Sequence, residues 1–422
     1  EPVSKVDTDS SIHGDAPHSL SKSVQCKSVR YKLILMRLHT FSHKCKVQLR
    51  PRGLYLSIVT RALHINFHCT STTFVIPSIF LGSKWDTMSQ EIWDKFIKSQ
   101  QTEETFRKKM NLWRYLFITI KTIFPRYGLY VVGSTMSGFG LDSSDMDLCL
   151  YVRPVDELDH LPTHLFLDAE LIQAKVPILK FRDSRNGLQV DLNCNNVVGI
   201  RNTNLLHCYS RLDWRVRPLV ALTKLWAQAH DINDARHRTL SSYSLTLMVI
   251  HFLQCGTSPA ILPRACEAGA DSRRAYNRTT LAELFLHMLR YYADFPYDKM
   301  AVSVRAGGRV PVSECRAARA HKNDPHQWKL LCVEEPFDLT NTARSVYDPE
   351  TFEKIVNTFR DSYKRLAAGL RLADSQIVTI DRTTRLSADV QLYGTWTLMV
   401  GPIYIFYAHL SMLMMIWKFN NS

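Results

Sequence analysis

The spacing of apolar positions along this chain changes several times, and each spacing predicts a different kind of element. Apolar residues recur at helical intervals from residue 89 to about 124, which predicts helix. They are Ile92, Phe96, Phe106, Met110, Trp113 and Phe117. Shorter apolar runs then follow from 127 to about 196, separated by Gly-Ser and Asn-Gly turn dipeptides. Such runs predict the strands of a sheet.

Helical spacing returns after the predicted sheet. Apolar stripes near 205–209, 216–230, 241–254 and 280–292 predict four helices, and 352–372 predicts a final one. Between them, the stretches 305–309 and 317–321 are rich in Gly, Ala and Arg and predict exposed loops. The expected fold class is therefore α+β, with a small mixed sheet and flanking helices followed by a mostly helical domain.

The two ends of the chain differ from this middle part. Residues 1–88 show no sustained periodicity, and Ser, Thr, His and Lys dominate the first thirty, which predicts disorder. Residues 390–417 contain no Lys, Arg, Asp or Glu, and about 20 apolar residues suffice for a membrane-spanning helix. Gly401-Pro402 and His409 weigh against a span, so we expect no membrane anchor. Errors of gene prediction are an alternative origin for both ends.

The most informative polar residues lie in 131–150. A Gly-Ser turn at Gly133 and Ser134 is followed by Asp145 and Asp147. Acids two residues apart lie on one face of a strand, and they repel each other unless a cation lies between them. Two magnesium ions roughly 3.5–4 Å apart are a common solution and serve phosphoryl and nucleotidyl transfer. A solvated acidic turn is the alternative.

A two-metal site predicts a third carboxylate on a neighbouring strand. The runs 176–182 and 188–194 flank Asn186-Gly187, a dipeptide that strongly indicates a β-hairpin. Asp191 lies in the second run among apolar residues, where an unpaired acid is costly. The alternative to a metal role is a salt bridge from Asp191 to Arg182 across the hairpin.

These residues, in this order and spacing, resemble the DNA polymerase beta-like nucleotidyltransferase superfamily. Within it, the surrounding sequence is similar to cytoplasmic poly(A) polymerases of the germline-development type, which are relatives of the terminal uridylyltransferases. The resemblance covers roughly 89–374, about two-thirds of the chain. Further matching segments are 198–203, 217–220, 224–226, 231–234, 239–248 and 334–344. The resemblance implies a nucleotidyltransferase palm followed by a poly(A)-polymerase-associated domain.

The resemblance also implies a role for each matching palm residue. Gly133 and Ser134 would bind the triphosphate, with Ser134 as hydrogen-bond donor. Asp145 and Asp147 would hold both metal ions, Mg²⁺ or Mn²⁺. Asp191 would hold the metal beside the RNA 3′ hydroxyl and could accept its proton.

Further matching residues imply contacts with the rest of the nucleotide, which is expected to be ATP. Asn202 and Thr203 would contact the ribose, and Lys224 would neutralise the β and γ phosphates. Relatives often carry a second basic residue one helical turn later, where this chain has Gln228. Lys224 would then matter more.

The incoming base would stack at Ser242 and Tyr243, which follow a Leu-Ser-Ser motif of the family. Tyr243 also belongs to an apolar stripe, so packing in a helical core is the alternative. The stripe consists of Leu240, Tyr243, Leu247 and Ile250.

The choice of base is expected to depend on the loop 334–344, which includes the predicted nucleotide contact Glu335. Uridylyltransferases carry a histidine in this loop. Here Thr340-Asn341-Thr342 stands in that place, and no histidine lies between Asp338 and Arg344. This favours ATP over UTP. The loop can equally be described as an acidic Pro turn anchored by Phe337, and the two interpretations are compatible.

Composition adds less than the motifs do. The net charge of +14 suits a polyanionic partner, but residues 1–88 contribute +7 of it. The ten cysteines contain no C-x-x-C pair, which indicates free thiols in a reducing compartment. His39, His43 and Cys45, then His64, His68 and Cys69, are weak candidates for a zinc site.

Together, these observations predict a template-independent poly(A) polymerase that adds AMP to RNA 3′ ends in the cytoplasm, with a nuclear fraction possible. No RNA-recognition signature is visible, so an RNA-binding adaptor protein is expected to choose targets for a monomeric catalytic core. The alternatives are a terminal uridylyltransferase and a catalytically impaired scaffold that binds RNA or an adaptor. The scaffold is favoured by the segment 153–175, which is shorter than in relatives.

The predicted domain organisation follows these assignments. Residues 89–125 supply helices to the helical domain, 126–212 form the catalytic domain, and 213–374 form the helical central domain with the base-recognition loop. Residues 1–88 and 375–422 are left unassigned.

Overall fold

The computed structural model of the protein describes residues 82–123, 127–152, 170–172, 178–183, 186–264, 277–320, 323–369 and 371–372. These residues form an α+β fold with a small mixed sheet, flanking helices and a mostly helical remainder, as expected. The candidate zinc ligands, the apolar run 390–417 and most of the shortened segment 153–175 lie outside the described residues. No described helix is both long enough and apolar enough to cross a bilayer.

The palm is a five-stranded sheet in the order β1-β2-β5-β4-β3. Its strands are β1 (Gly128–Val132), β2 (Met146–Tyr151), β3 (Glu170–Ile172), β4 (Ile178–Arg182) and β5 (Gln189–Cys194). β2 and β5 run parallel, and the other pairs are antiparallel. The inward-facing residues Leu148, Leu150 and Leu192 are fully buried, because period-2 alternation places them on the covered face.

The hairpin between β4 and β5 has a longer turn than its dipeptide predicts. Gly187 takes the left-handed conformation (φ +65) that favours glycine. However, Asp183 N donates to Leu188 O at 2.8 Å, so the turn lies between residues 183 and 188 rather than being Asn186-Gly187 alone. A change of two residues in turn length shifts every cross-strand pair of the hairpin.

Helices flank the sheet and connect it to the rest of the chain. They are α1 (Asp86–Ser99), α2 (Glu103–Ile123), the short α3 (Ser134–Ser137) and α4 (Val197–Ser210). The single helical pattern predicted over 89–124 is thus two helices. α1 packs on helices that follow the palm, whereas α2 packs on β1, where Trp113 Nε1 donates to Leu129 O at 3.1 Å. Within the predicted segment 89–125, α2 thus packs on the palm. The predicted domain boundaries remain predictions.

The helical domain encloses one large apolar core. Its main helices are α5 (Val216–Ala229), α6 (Ser242–Cys255), α7 (Leu281–Ala293) and α9 (Pro349–Gly369). They overlap the predicted positions. Trp226 is fully buried at the centre, and its Nε1 donates to Ser362 Oγ at 3.0 Å. This bond ties α5 to α9 and satisfies the indole N–H, which would be costly to bury unpaired.

A second, three-stranded sheet was not predicted. Its strands are β6 (Met300–Ser303), β7 (Gly308–Pro311) and β8 (Val333–Glu334), in the order β7-β6-β8. Of the predicted loop 305–309, residues 305–307 lie in the turn between β6 and β7, whereas Gly308 and Arg309 belong to β7, and α8 (Val312–Ala317) follows. Strands of two to four residues are too short to show a period, so the pattern could not reveal them.

Candidate active site

Two of the three predicted acids face each other directly across neighbouring strands. Asp147 on β2 and Asp191 on β5 are register partners in the parallel pair, and register partners point to the same side of a sheet. Asp145 lies one residue before β2 and, by alternation, on the face of Asp147. The structure therefore brings Asp145, Asp147 and Asp191 together. We refer to these three residues as the acid row.

The Gly-Ser turn lies against the acid row. Gly133 has φ +69, and a Cβ at this position would overlap the Asp147 carboxylate. Gly133 N donates to Thr203 Oγ1 at 2.9 Å, and the same hydroxyl donates to Gly199 O at 2.7 Å. α4 thus holds the turn in place, and only glycine fits here without displacing an acid.

The electrostatics of the acid row favour an added cation. Desolvation, and then the charges of Asp191 and Asp145, raise the pKa of Asp147 to about 7. A carboxyl with such a pKa is only partly ionised near neutral pH, because each further negative charge in the row is opposed by the others. A cation placed among these oxygens would stabilise the ionised form.

Lys180 on β4 is a member of this site that the sequence analysis missed. Its Nζ lies 2.5 Å from Asp191 Oδ1 and 3.5 Å from Asp145 Oδ2. The predicted alternative, a salt bridge from Asp191 to Arg182, is wrong. Arg182 pairs with Gln189 and donates through Nε to Gly187 O. A two-residue turn would have placed Arg182 opposite Asp191, and the longer turn places Lys180 there instead.

The chemistry of the donor set fits a hard divalent cation, since Mg²⁺ and Mn²⁺ prefer carboxylate oxygens. The glycine turn leaves the Asp147 carboxylate uncrowded. Within the described part of the chain, however, no three His, Cys, Asp or Glu side chains converge on a common metal position. Asp145 and Asp191 converge instead on the ammonium of Lys180.

Two further lysines are buried behind the acid row. Lys224, predicted to meet the phosphates, is 5% exposed and donates through Nζ to Phe139 O at 2.8 Å. Burial lowers the pKa of Lys224 to about 8, against the opposing influence of Asp147. Lys109 on α2 was not predicted and is fully buried, with Nζ 3.0 Å from Gln101 Oε1. Burial likewise lowers the pKa of Lys109, and the Asp147 charge opposes this.

The two residues predicted to contact a ribose differ in their free hydrogen-bonding capacity. The Thr203 hydroxyl already bonds Gly133 N and Gly199 O. The buried Oδ1 of Asn202 has no hydrogen-bond partner. A buried acceptor of this kind usually has a partner, and a ligand hydroxyl could supply one. Asn202 is therefore the better candidate for a direct contact.

The predicted base-stacking residues lie at the start of α6. Ser241 caps this helix by accepting from Ser244 N at 3.0 Å. Ser242 Oγ donates to Asn233 Oδ1 at 3.0 Å. Tyr243 is half-buried against the helical core, and its OH donates to Glu335 Oε1 at 3.2 Å. The predicted core packing of Tyr243 is therefore present, and its hydroxyl reaches the predicted base loop, while stacking on a base stays a prediction.

Glu335 organises the start of that loop. Its Oε2 accepts from Phe337 N at 2.7 Å and from Asp338 N. Burial raises the pKa of Glu335 to about 7, although these two backbone bonds oppose the shift. Glu335 is 4% exposed, so its carboxyl group is largely desolvated.

Asn341 holds the other half of the loop and is 1% exposed. Its Oδ1 accepts from the backbone N–H groups of Val333 and Ala343, both at 3.0 Å. Its Nδ2 donates to the carbonyl oxygens of Gln327 and Leu331, both at 2.9 Å. Every polar atom of this side chain is therefore used within the protein. Asn341 shapes the loop and has no donor or acceptor left for a base.

Comparison with known proteins places this site in a family context. Residues 88–211 match the family described as the central palm domain of mitochondrial-like poly(A) RNA polymerase. Residues 280–341 match the Cid1 family of poly A polymerases. The first match includes the acid row, and the second ends in the predicted base loop.

Individual relatives agree with these matches. The chain is 47% identical over 319 residues to poly(A) RNA polymerase gld-2 homolog A of Drosophila melanogaster, covering 67% of this chain and 23% of that protein. It is 38% identical over 346 residues to poly(A) RNA polymerase GLD2 of Danio rerio, covering 71% and 69% respectively. The chain thus spans about a quarter of the Drosophila relative's length.

Solved structures give the same picture. A structure of a GLD-2/RNP-8 complex is similar with a TM-score of 0.58 and 37% identity, covering 70% of this chain and 99% of that one. A crystal structure of the Cid1 poly(U) polymerase is similar with a TM-score of 0.60 and 25% identity, covering 70% and 98%.

Proposed function

The chain belongs to the GLD2 family of poly(A) RNA polymerases, and on that premise we propose that it transfers AMP from ATP to the 3′ hydroxyl of RNA without a template. Pyrophosphate is the second product. The observation that carries this proposal is the register of Asp147 opposite Asp191, with Gly133 against the Asp147 carboxylate. The acidic cluster thus lies beside a glycine turn, and a phosphate group can approach the backbone of that turn closely.

In this proposal the acid row binds divalent metal ions. Asp145 and Asp147 would hold both ions, and Asp191 would hold the one beside the RNA 3′ end. The bound ions, Mg²⁺ or Mn²⁺, would lower the pKa of the attacking hydroxyl and neutralise the leaving pyrophosphate. Asp191 would also accept the proton of that hydroxyl, and its 22% exposed side chain supports this role.

The nucleotide is proposed to lie between the glycine turn and α6. Ser134 at the start of α3 donates to the triphosphate, and Asn202 Oδ1 accepts from a ribose hydroxyl. Tyr243 stacks on the base. The Lys224 Nζ donates to the Phe139 carbonyl. Lys224 would therefore act on the phosphates through its positive charge and not through a direct hydrogen bond.

Preference for ATP over UTP rests on the loop 334–344. It contains no histidine, and its asparagine, Asn341, is wholly engaged with the backbone. The Asn341 side chain therefore has no free hydrogen-bond donor or acceptor for a base, and it contributes only to the shape of the loop. Such a site would accept the larger adenine without a donor specific for uracil.

Partner and location are further parts of the proposal. The GLD-2 neighbour was solved in a complex with RNP-8, which supports a partner protein for this chain, and we expect that partner to be an RNA-binding adaptor. We place the monomeric catalytic core in the cytoplasm, consistent with free thiols in the described part of the chain.

Purified full-length chain, a short RNA, Mg²⁺ and each nucleoside triphosphate in turn provide the test. We expect extension with ATP and loss of extension in Asp145→Ala. Preferential use of UTP would replace the adenylyl assignment by a uridylyl one. Absence of extension with every nucleotide would favour a scaffold, and activity surviving in Asp145→Ala would end the two-metal mechanism.

A further inference from the structure

The acid row has a cationic neighbour built into the sheet. Lys180 is the register partner of Asp191, and Asp191 is the register partner of Asp147. The three side chains therefore form a line across β4, β5 and β2 on one face. The Lys180 side chain is only 18% exposed, so its ammonium is held at the edge of the site and does not move freely in solvent.

The position of this ammonium is informative. Its Nζ bridges Asp191 Oδ1 at 2.5 Å and Asp145 Oδ2 at 3.5 Å. Those two carboxylates belong to the set proposed to share a divalent ion. Lys180 thus bridges two of the carboxylates that would hold the metal.

The other two lysines near the row do not play this part. Lys109 and Lys224 direct Nζ to the uncharged acceptors Gln101 Oε1 and Phe139 O. Among the described residues, both ion pairs of the acid row are formed by Lys180. The convergence of Asp145 and Asp191 on a single point hence depends on this residue.

We propose that Lys180 is a resident counter-ion of the acid row, which holds Asp145 and Asp191 together before metal binds and which an incoming divalent ion displaces. The inference rests on the proposed metal-binding role of these acids and concerns Lys180 as a positioning residue. A charged competitor in the site lowers metal affinity, because the metal must replace an existing ion pair. The same charge stabilises the metal-free protein by relieving repulsion within the row.

Two opposite effects therefore follow from replacing Lys180 by a neutral residue. Without nucleotide or RNA, Lys180→Met should bind Mn²⁺ about tenfold more tightly than wild type. Its metal-free form should unfold at a lower temperature, and saturating Mn²⁺ should recover more of that loss than in wild type. A residue that merely fills space would change the unfolding temperature and leave Mn²⁺ affinity unaltered.

The experiment measures free Mn²⁺ by electron paramagnetic resonance, and unfolding temperature with and without Mn²⁺, on the full chain. Lys180→Arg keeps the charge and should bind Mn²⁺ as wild type does. Lys329→Met removes an exposed lysine elsewhere and should also match wild type. Lys180→Gln replaces Lys180→Met if the latter does not fold.

Equal Mn²⁺ affinity in Lys180→Met and Lys329→Met would overturn the inference, as would tightening in Lys180→Arg or no Mn²⁺ binding by any variant. These outcomes are separate from the proposed function. Failure of wild type to extend RNA would end the polymerase assignment and leave the Mn²⁺ comparison intact.

Discussion

The acid row and the loop 334–344 both carry polar side chains that are at least partly buried, but they satisfy them in opposite ways. In the loop, Asn341 and Glu335 turn inward and bond backbone groups of the loop and of residues 327–333 before it. In the acid row, three carboxylates face one lysine and each other. The comparison teaches that polar groups satisfied internally define shape, whereas groups left with excess charge mark where a ligand binds.

Gly133→Ala changes the acid row and should cause the largest loss of activity. An added methyl overlaps the Asp147 carboxylate, and the backbone φ of +69 is unfavourable for alanine. A displacement of about 1 Å in catalytic groups commonly costs on the order of 10²-fold in rate. We expect at least that loss in kcat/KM for RNA extension.

Gly308→Ala is the matched control for this substitution. A Cβ at Gly308 meets nothing within 4 Å, so activity should stay near that of wild type. If Gly133→Ala retains most of the activity, Asp147 does not depend on the turn as described.

Asn341→Ala tests the loop 334–344, in which polar side chains form their hydrogen bonds with the protein backbone. It would leave two buried N–H groups and two carbonyls without their partner, and each buried unsatisfied group costs about 1–3 kcal/mol. We expect the free energy of unfolding, measured by urea denaturation, to fall by about 3 kcal/mol or more. Asn204→Ala on the exposed side of α4 should change it by no more than about 0.5 kcal/mol. Similar values for both variants would contradict a bracing role for Asn341.

His251 extends the comparison to a buried titratable group that has neutral partners. Its ring nitrogens lie 3.4 Å from Ser303 O and 3.0 Å from Tyr291 OH. Burial, with a smaller contribution from Arg309, lowers the pKa of His251 to about 4. Because the unfolded-state pKa is about 6.5, the unfolded chain takes up the proton first. The stability contributed by neutral His251 is thus complete above pH 6.5 and is lost as pH falls towards 4.

His251→Gln should remove this dependence. By pH 5 the wild-type protein should have lost about 2 kcal/mol of unfolding free energy from this group, relative to pH 7.5. The difference in unfolding free energy between wild type and variant should shrink by that amount over the same interval. A constant difference would show that His251 titrates normally in the folded protein.

Tyr243 should give the smallest effect, because its substitution removes a single stacking contact. Base stacking on an aromatic ring is worth about 1–3 kcal/mol, so Tyr243→Ala should raise the KM for ATP about tenfold. Tyr243→Phe keeps the ring and loses only the bond to Glu335, and its KM should change by no more than about threefold. Equal losses in the two variants would assign the effect to the hydroxyl instead of the ring.

The sequence was sufficient to predict the features that follow a regular period or that a turn dipeptide marks. Asp145, Asp147 and Asp191 could be placed on one face because strand alternation is regular, and the hairpin turn was marked by Asn186-Gly187. The partner of Asp191 could not be predicted, because two extra residues in the turn exchanged Arg182 for Lys180.

Other features were hidden for related physical reasons. The three-stranded sheet has strands of only two to four residues, which leave no periodic trace. The bracing role of Asn341 arises from carbonyls up to 14 residues away along the chain. Lys109 lies on a helix whose own pattern shows no sign of the acids it approaches in the folded protein. Each of these depends on tertiary contacts that local spacing does not record.

The position of α1 has a consequence for synthesis of the protein on the ribosome. Its Ser89 Oγ accepts from Ala282 N, 193 residues later, and Glu91 Oε2 accepts from Leu372 N, 281 residues later. The palm is translated between these partners. At about 5–20 residues per second, about 10–40 s pass between the synthesis of Ser89 and that of its partner Ala282. A nascent chain of this protein would therefore present an apolar helix to chaperones throughout the time its catalytic sheet is being completed.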